Sequence, residues 1–206
     1  MNEEKPVSTL FLDIGGVLLT NGWDHQARAY AAHHFDIEPN ELEDRHTLLF
    51  NVYETGKLSL DEYLDFAVFW KPRQFTRDDF RKCMFEVSRP FQEMIELITS
   101  LKRKYCLKTV AVSNEGRELS LYRIDTYGLK TVLDVFISSC FVHYRKPDKE
   151  IYRLALDVAH VNAEEVVYID DRILLVEVAR SLGIRSILHT GCDATKDNLA
   201  EWGLSI

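Results

Sequence analysis

The sequence predicts an α/β fold: a parallel sheet with helices on both faces, plus a small all-helical module inserted after the first strand. Three observations predict it. Short apolar runs of strand length recur along the chain, and three of them stop at a polar residue able to do chemistry. Helical periodicity fills the stretches between most of the runs. Residues 22–88 break this alternation and read as consecutive helices.

The first run is Thr9-Leu10-Phe11-Leu12, which stops at Asp13 before Gly15-Gly16, as a buried parallel strand ending in a turn does. Four helices are expected next, over residues 24–35, 40–55, 59–70 and 76–87. Ser59 with Glu62, and Thr76 with Asp79, have the spacing of capping boxes. Gly56-Lys57 and Lys71-Pro72 punctuate the series. Residues 93–105 place Met94, Ile95, Leu97, Ile98 and Leu101 on one helical face, with cations in the last turn complementing the helix dipole. Strands follow at Thr109–Val112 ending in Ser113, at Val135–Ile137, at Val166–Ile169 ending in Asp170, and over Arg185–Leu188. Between them lie helices over residues 147–158, with Pro147 in the first turn, and 174–182, with Gly183 as the stop. Strands alternating with helices imply right-handed crossovers and a parallel sheet. The expected division is a core of residues 1–21 and 89–206 and a helical cap of residues 22–88, placed to cover the strand ends. The plain alternative is a helical decoration with no role.

A chain of 206 residues suits one core domain with a modest insertion, and buries a core without disulfides. With 33 acidic against 25 basic residues the net charge is −8, which argues against nucleic acid as a partner. Cys83, Cys106, Cys140 and Cys192 show no paired spacing, which implies a reducing compartment. The acidic start and short apolar run at the N-terminus suit neither a secretory signal nor a membrane span, so a cytoplasmic protein without membrane contact is expected.

Asp13, Ser113 and Asp170 all close strands at the sheet edge where open α/β sheets bind ligands. Each has a plain alternative: an Asx turn for Asp13, an N-cap for Ser113-Asn114, an exposed loop lysine for Lys146. Adjacent carboxylates at Asp170-Asp171 repel, and a cation relieves that repulsion. Together the residues fit phosphoryl chemistry: a carboxylate nucleophile, hydroxyl, amide and ammonium donors for phosphate oxygens, and oxygen ligands for Mg²⁺.

In order, FLDIGGVL, AVSNEG, RKPDKEIY and YIDDRILLVEVARSLGI resemble the four motifs of the haloacid dehalogenase superfamily, over nearly the whole chain. ETGKLSLDEYL resembles the insertion of the members with a helical cap after the first motif. The resemblance implies a Rossmann-like core and a Mg²⁺-dependent phosphatase acting on a small phosphorylated metabolite through an aspartyl-phosphate. It implies Asp13 as nucleophile and metal ligand, Ser113 and the Asn114 amide as phosphate donors, and Lys146 as the bridge between phosphate and Asp13. The main-chain carbonyl of Gly15 and the carboxylates of Asp170 and Asp171 complete the implied metal set.

The family's phosphatases usually carry an acid–base aspartate two residues after the nucleophile, and here that position is Gly15. General acid–base catalysis contributes about 10²–10⁴-fold, so the loss matters. Three outcomes fit: substrates with good leaving groups such as anomeric sugar phosphates, a substitute donor among Asp24, His25, His33 and His34, or slow or absent catalysis. Leu175 is a second departure, standing where relatives often have Asn. Against the phosphatase stand a non-catalytic phosphate-binding or interaction module, favoured by Gly15, and a true dehalogenase, which the Asp170-Asp171 pair argues against. Substrate choice is expected from the cap and from Asn21, Gly22 and Trp23. Aromatic cap residues (Trp23, Tyr30, Phe35, Phe50, Tyr53) are expected mainly in its core.

Overall fold

The computed structural model describes residues 5–206; the acidic start of the chain, part of the N-terminal reading above, lies outside the described residues. Five parallel strands form one sheet in the order β3-β2-β1-β4-β5: β1 (Thr9–Leu12), β2 (Lys108–Ser113), β3 (Val135–Ser138), β4 (Val166–Asp170) and β5 (Arg185–Leu188). Strand alternation sends Leu10 and Leu12 to one face and Phe11 to the other. Both faces are covered, which is why the central strands read as mainly apolar runs without polar alternation. On the first face the strands pack on α5 (Gln92–Tyr105) and α10 (Cys192–Glu201), through Ile98, Leu101 and Leu199. On the second they pack on α8 (Lys149–Ala159) and α9 (Ile173–Arg180), through Ile151, Ala155 and Ala179.

Between β1 and α5 run α1 (His25–His34), α2 (Pro39–Glu54), α3 (Leu60–Ala67) and α4 (Arg77–Glu86). Both expected capping boxes are present, Ser59–Glu62 and Thr76–Asp79. These helices share a separate apolar cluster, with Trp23, Leu64, Phe80 and Met84 buried in it, and Leu119 of the sheet-bearing part joins them. Trp23 and Tyr53 are buried as expected, while Tyr30 is exposed.

Some boundaries differ from the sequence reading. Asp148 caps α8 by accepting from Glu150 N, so Pro147 precedes the N-cap instead of occupying the first turn. The third inserted helix stops at Ala67 and the chain leaves it in a turn before Trp70. Three helices had no sequence expectation: α6 (Arg117–Thr126), α7 (Ser139–Val142) and α10.

Candidate functional site

The chain steps outward from β1 to β2 and β3, then returns to place β4 on the other side of β1. This reversal opens a crevice at the carboxyl ends of β1 and β4. Leu12 is paired with Ile169 across β1 and β4, so Asp13 and Asp170 emerge side by side. Leu12 also pairs with Ala111, which brings Ser113 to the same edge from β2.

Lys146 sits at the centre, 2 % exposed. Its Nζ lies 3.0 Å from Asp13 Oδ2 and 2.7 Å from Asp170 Oδ2, and it donates to the Tyr168 hydroxyl at 3.1 Å. Tyr168 in turn donates to Asp170 Oδ2. The other Asp170 oxygen accepts from Arg172 N at 2.8 Å, which fastens the loop after β4. Lys146 is aimed by Asn114, whose side chain donates to the Lys146 carbonyl and accepts from its amide, both at 2.8 Å. The sequence reading assigned Asn114 by its backbone amide; its side chain also builds the site.

Asp13, Asp170 and Asp171 each offer an oxygen within 4.8 Å of the others. Burial pushes the Asp13 carboxyl up to about 6; Lys146 opposes the shift and Asp170 adds to it. Burial works against the Lys146 ammonium, yet Asp13 and Asp170 more than offset it and raise its pKa above the ordinary value. Asp171 receives only a long 3.4 Å contact from Asn21 Nδ2 on Oδ2, and its Oδ1 is buried with no hydrogen-bond partner. A buried carboxylate oxygen left bare costs free energy unless something binds it. Three convergent carboxylates, one of which has an orphaned oxygen, fit a divalent cation such as Mg²⁺.

Asp13, Ser113, Asn114 and Lys146 line a cavity of about 80 Å³, with Gly15 at its wall. Ser113 is buried there. Leu175 also lines it; its carbonyl accepts from the Tyr152 hydroxyl at 3.2 Å, so the position is held without a polar side chain. Of the substitute donors expected from sequence, Asp24 reaches the cavity but its carboxylate caps α1 at Ala27 N, 2.8 Å away. His25 is exposed beside Glu43, and His33 and His34 are exposed at the end of α1.

Asn21, Gly22 and Trp23, expected from sequence to shape substrate choice, line this cavity, whereas sequence reading missed Tyr168 and the pair Glu115–Arg123, at or against it. Tyr168 had a signal: it lies two residues before Asp170 on one strand, hence on the same face. Arg123 had none, because a lone arginine on a helix reads as surface.

An open parallel sheet with a buried lysine–carboxylate cluster at its switch point defines an α/β protein with a ligand crevice at its strand ends. The chain belongs to the haloacid dehalogenase-like hydrolases, whose family profile matches residues 7–183. It is 36 % identical over 96 residues to a phosphorylated carbohydrates phosphatase of Thermotoga maritima, covering 47 % of this chain and 43 % of that one. It is 30 % identical over 148 residues to bifunctional epoxide hydrolase 2 of Sus scrofa, covering 60 % of this chain and 26 % of that one. The chain thus spans less than half the length of these curated relatives. Among solved structures, the HAD family enzyme bt-2542 of Bacteroides thetaiotaomicron in its magnesium complex superposes with a TM-score of 0.78 at 18 % identity, covering 90 % of this chain and 94 % of that one. The same enzyme has been solved with magnesium and inorganic phosphate together.

Proposed function

We propose that the chain is a Mg²⁺-dependent phosphatase of a small phosphorylated, sugar-phosphate-like metabolite, with residues 22–88 as the cap over its site. The observation that carries this reading is the buried Asp13–Lys146–Asp170 cluster beside the orphaned Asp171 oxygen. Asp13 attacks phosphorus and carries the phosphoryl group as an aspartyl-phosphate. Lys146, fixed by Asn114 and Asp170, favours the ionised Asp13 and then binds a phosphoryl oxygen. Ser113 and the Asn114 amide hold the remaining oxygens. Asp13, the Gly15 carbonyl and Asp171 would hold Mg²⁺ directly, since both Asp170 oxygens are already engaged within the chain. The ion, when bound, supplies positive charge to the phosphate. The magnesium and phosphate complexes of the bt-2542 enzyme and the Thermotoga relative's named activity support the reading. The four unpaired cysteines suit a cytoplasmic setting, and among the described residues no helix is long and apolar enough to cross a membrane.

Gly15 favours one second reading, a non-catalytic phosphate-binding module. Phosphate release from p-nitrophenyl phosphate and a panel of sugar phosphates, with and without Mg²⁺, separates the two. The phosphatase reading expects Mg²⁺-dependent turnover that falls by at least about 10³-fold in Asp13→Asn, as removal of a nucleophile does. Phosphate binding without turnover in the folded wild type would establish the second reading instead.

A further inference from the structure

The wall of the same cavity carries a second buried acid. Glu115 follows Ser113-Asn114 after β2, lines the same cavity as Asp13, and is 8 % exposed. Its amide donates to Ser139 Oγ at 3.1 Å, and its carboxylate pairs with Arg123 of α6. Arg123 is itself 2 % exposed and donates through Nη2 to the Thr20 carbonyl at 2.6 Å. The segment after the nucleophile is bare toward this pair. A Cβ on Gly15 would lie 3.1 Å from Asn21 Oδ1 and 3.9 Å from Arg123 Nη1. A Cβ on Gly22 would lie 2.6 Å from Glu115 Oε2 and 2.7 Å from Arg123 Nη1. The two glycines therefore leave the Glu115–Arg123 pair facing the space beside Asp13 where the acid–base side chain is absent.

We propose that Glu115, held by Arg123, is the general acid and base of this site. The proposal rests on the phosphatase reading above and deepens it. In the first step an Asp13 oxygen bonds to phosphorus, the bond from phosphorus to the leaving oxygen breaks, and that oxygen takes the Glu115 proton to depart as a neutral alcohol. In the second, the Glu115 carboxylate takes a proton from water while the water oxygen bonds to phosphorus. The phosphorus–Asp13 bond breaks, and inorganic phosphate leaves with Asp13 and Glu115 restored. Burial holds the Glu115 carboxyl up to about 7, in spite of Arg123, with Glu54 and Asp13 adding to the rise. The charged groups acting on it are thus Arg123 on α6, Glu54 on α2 and Asp13 after β1, and Tyr53 and Cys140 lie within its electrostatic reach. Both protonation states are therefore populated near neutrality, as an acid that becomes a base requires.

The test is a series of aryl phosphates from p-nitrophenyl to phenyl phosphate, run with Mg²⁺ on the wild type, Asp13→Asn, Asp24→Asn and Glu115→Gln. For Glu115→Gln, kcat/KM, which reports the step up to phosphorylation, should fall about 10²-fold on phenyl phosphate and less than about threefold on p-nitrophenyl phosphate. A stoichiometric burst of p-nitrophenol should appear, because the second step has lost its base. The alkaline fall of wild-type kcat/KM on phenyl phosphate, centred near pH 7, should vanish. The double variant Glu115→Gln/Arg123→Gln leaves no buried unpaired charge and should show the same steepened dependence on the leaving group. An equal loss across the series, or the steep dependence appearing in Asp24→Asn instead, overturns the assignment while the phosphatase reading stands. No Mg²⁺-dependent turnover in the wild type overturns both.

Discussion

At Gly16 the backbone takes φ +78°, and a Cβ there would fall 2.2 Å from Asp171 Oδ2. Glycine adopts this left-handed geometry without steric cost, whereas alanine is strained and must also displace the carboxylate. Gly16→Ala is expected to weaken Mg²⁺ binding by about tenfold or more, and to lower stability by about 1–3 kcal/mol. Calorimetric Mg²⁺ titration and urea unfolding would measure the two effects, and unchanged Mg²⁺ affinity would remove Asp171 from the metal set. At this scale the sequence reveals chemistry where a polar residue interrupts an apolar run: Asp13, Ser113 and Asp170 are marked by the strands that they end. Lys146 is marked only by family resemblance, since nothing local tells a loop lysine from one buried between two carboxylates. Glu115 passes unnoticed because its meaning depends on Arg123, eight residues away on a helix, and on two glycines from another segment.

Elements were legible where a single periodicity governed them. Strands β1, β3 and β4 and the middle of β2 are apolar runs because the sheet is buried on both faces, and α3 and α4 announce themselves by capping boxes. By contrast α6 and α10 begin at Gly116 and Gly191, without a side-chain cap, and α7 spans one turn. None of the three has a start signal that stands out from a loop. The inserted helices are tied together by a polar chain inside their apolar cluster. Trp23 Nε1 donates to the Tyr63 hydroxyl at 2.8 Å, and that hydroxyl, 2.9 Å from His46 Nδ1, is left to donate to a neutral imidazole. Burial lowers the His46 pKa from 6.5 to about 4, with Arg28 adding to the effect. A folded-state pKa below the unfolded one means that the unfolded chain gains a proton first as pH falls. The stability contribution is thus intact above pH 6.5 and is lost on descent to about pH 4. The full loss is about 3 kcal/mol, and His46→Gln should flatten this part of the pH profile of urea unfolding. A variant profile parallel to wild type between pH 6.5 and 4 would show that another group governs acid unfolding.

Across the whole molecule, the inserted helices meet the sheet-bearing part through a seam of polar and aromatic contacts. Arg145 binds Glu54 at 2.7 Å, Ser139 donates to the Glu54 carbonyl at 2.6 Å, and Phe85 stacks on Tyr122 at 4.8 Å. Those contacts are complete within the chain. The acidic cluster is not, because three carboxylates face one ammonium and Asp171 Oδ1 has no partner. A cation that binds only the folded state stabilises it by mass action, by about 2.7 kcal/mol at one hundred times its dissociation constant. For a chain of this size that is a rise in Tm of about 5–10 °C. Thermal unfolding with saturating Mg²⁺ should therefore exceed unfolding in EDTA by this margin. In Asp171→Asn the difference should collapse, and the EDTA value should match or exceed wild type, because the substitution removes a repelling charge. Arg145→Ala, which loosens the seam, should lower Tm with and without Mg²⁺ while keeping the difference between them. A Mg²⁺ effect that survives in Asp171→Asn but disappears in Arg145→Ala would move the cation from the strand ends to the seam.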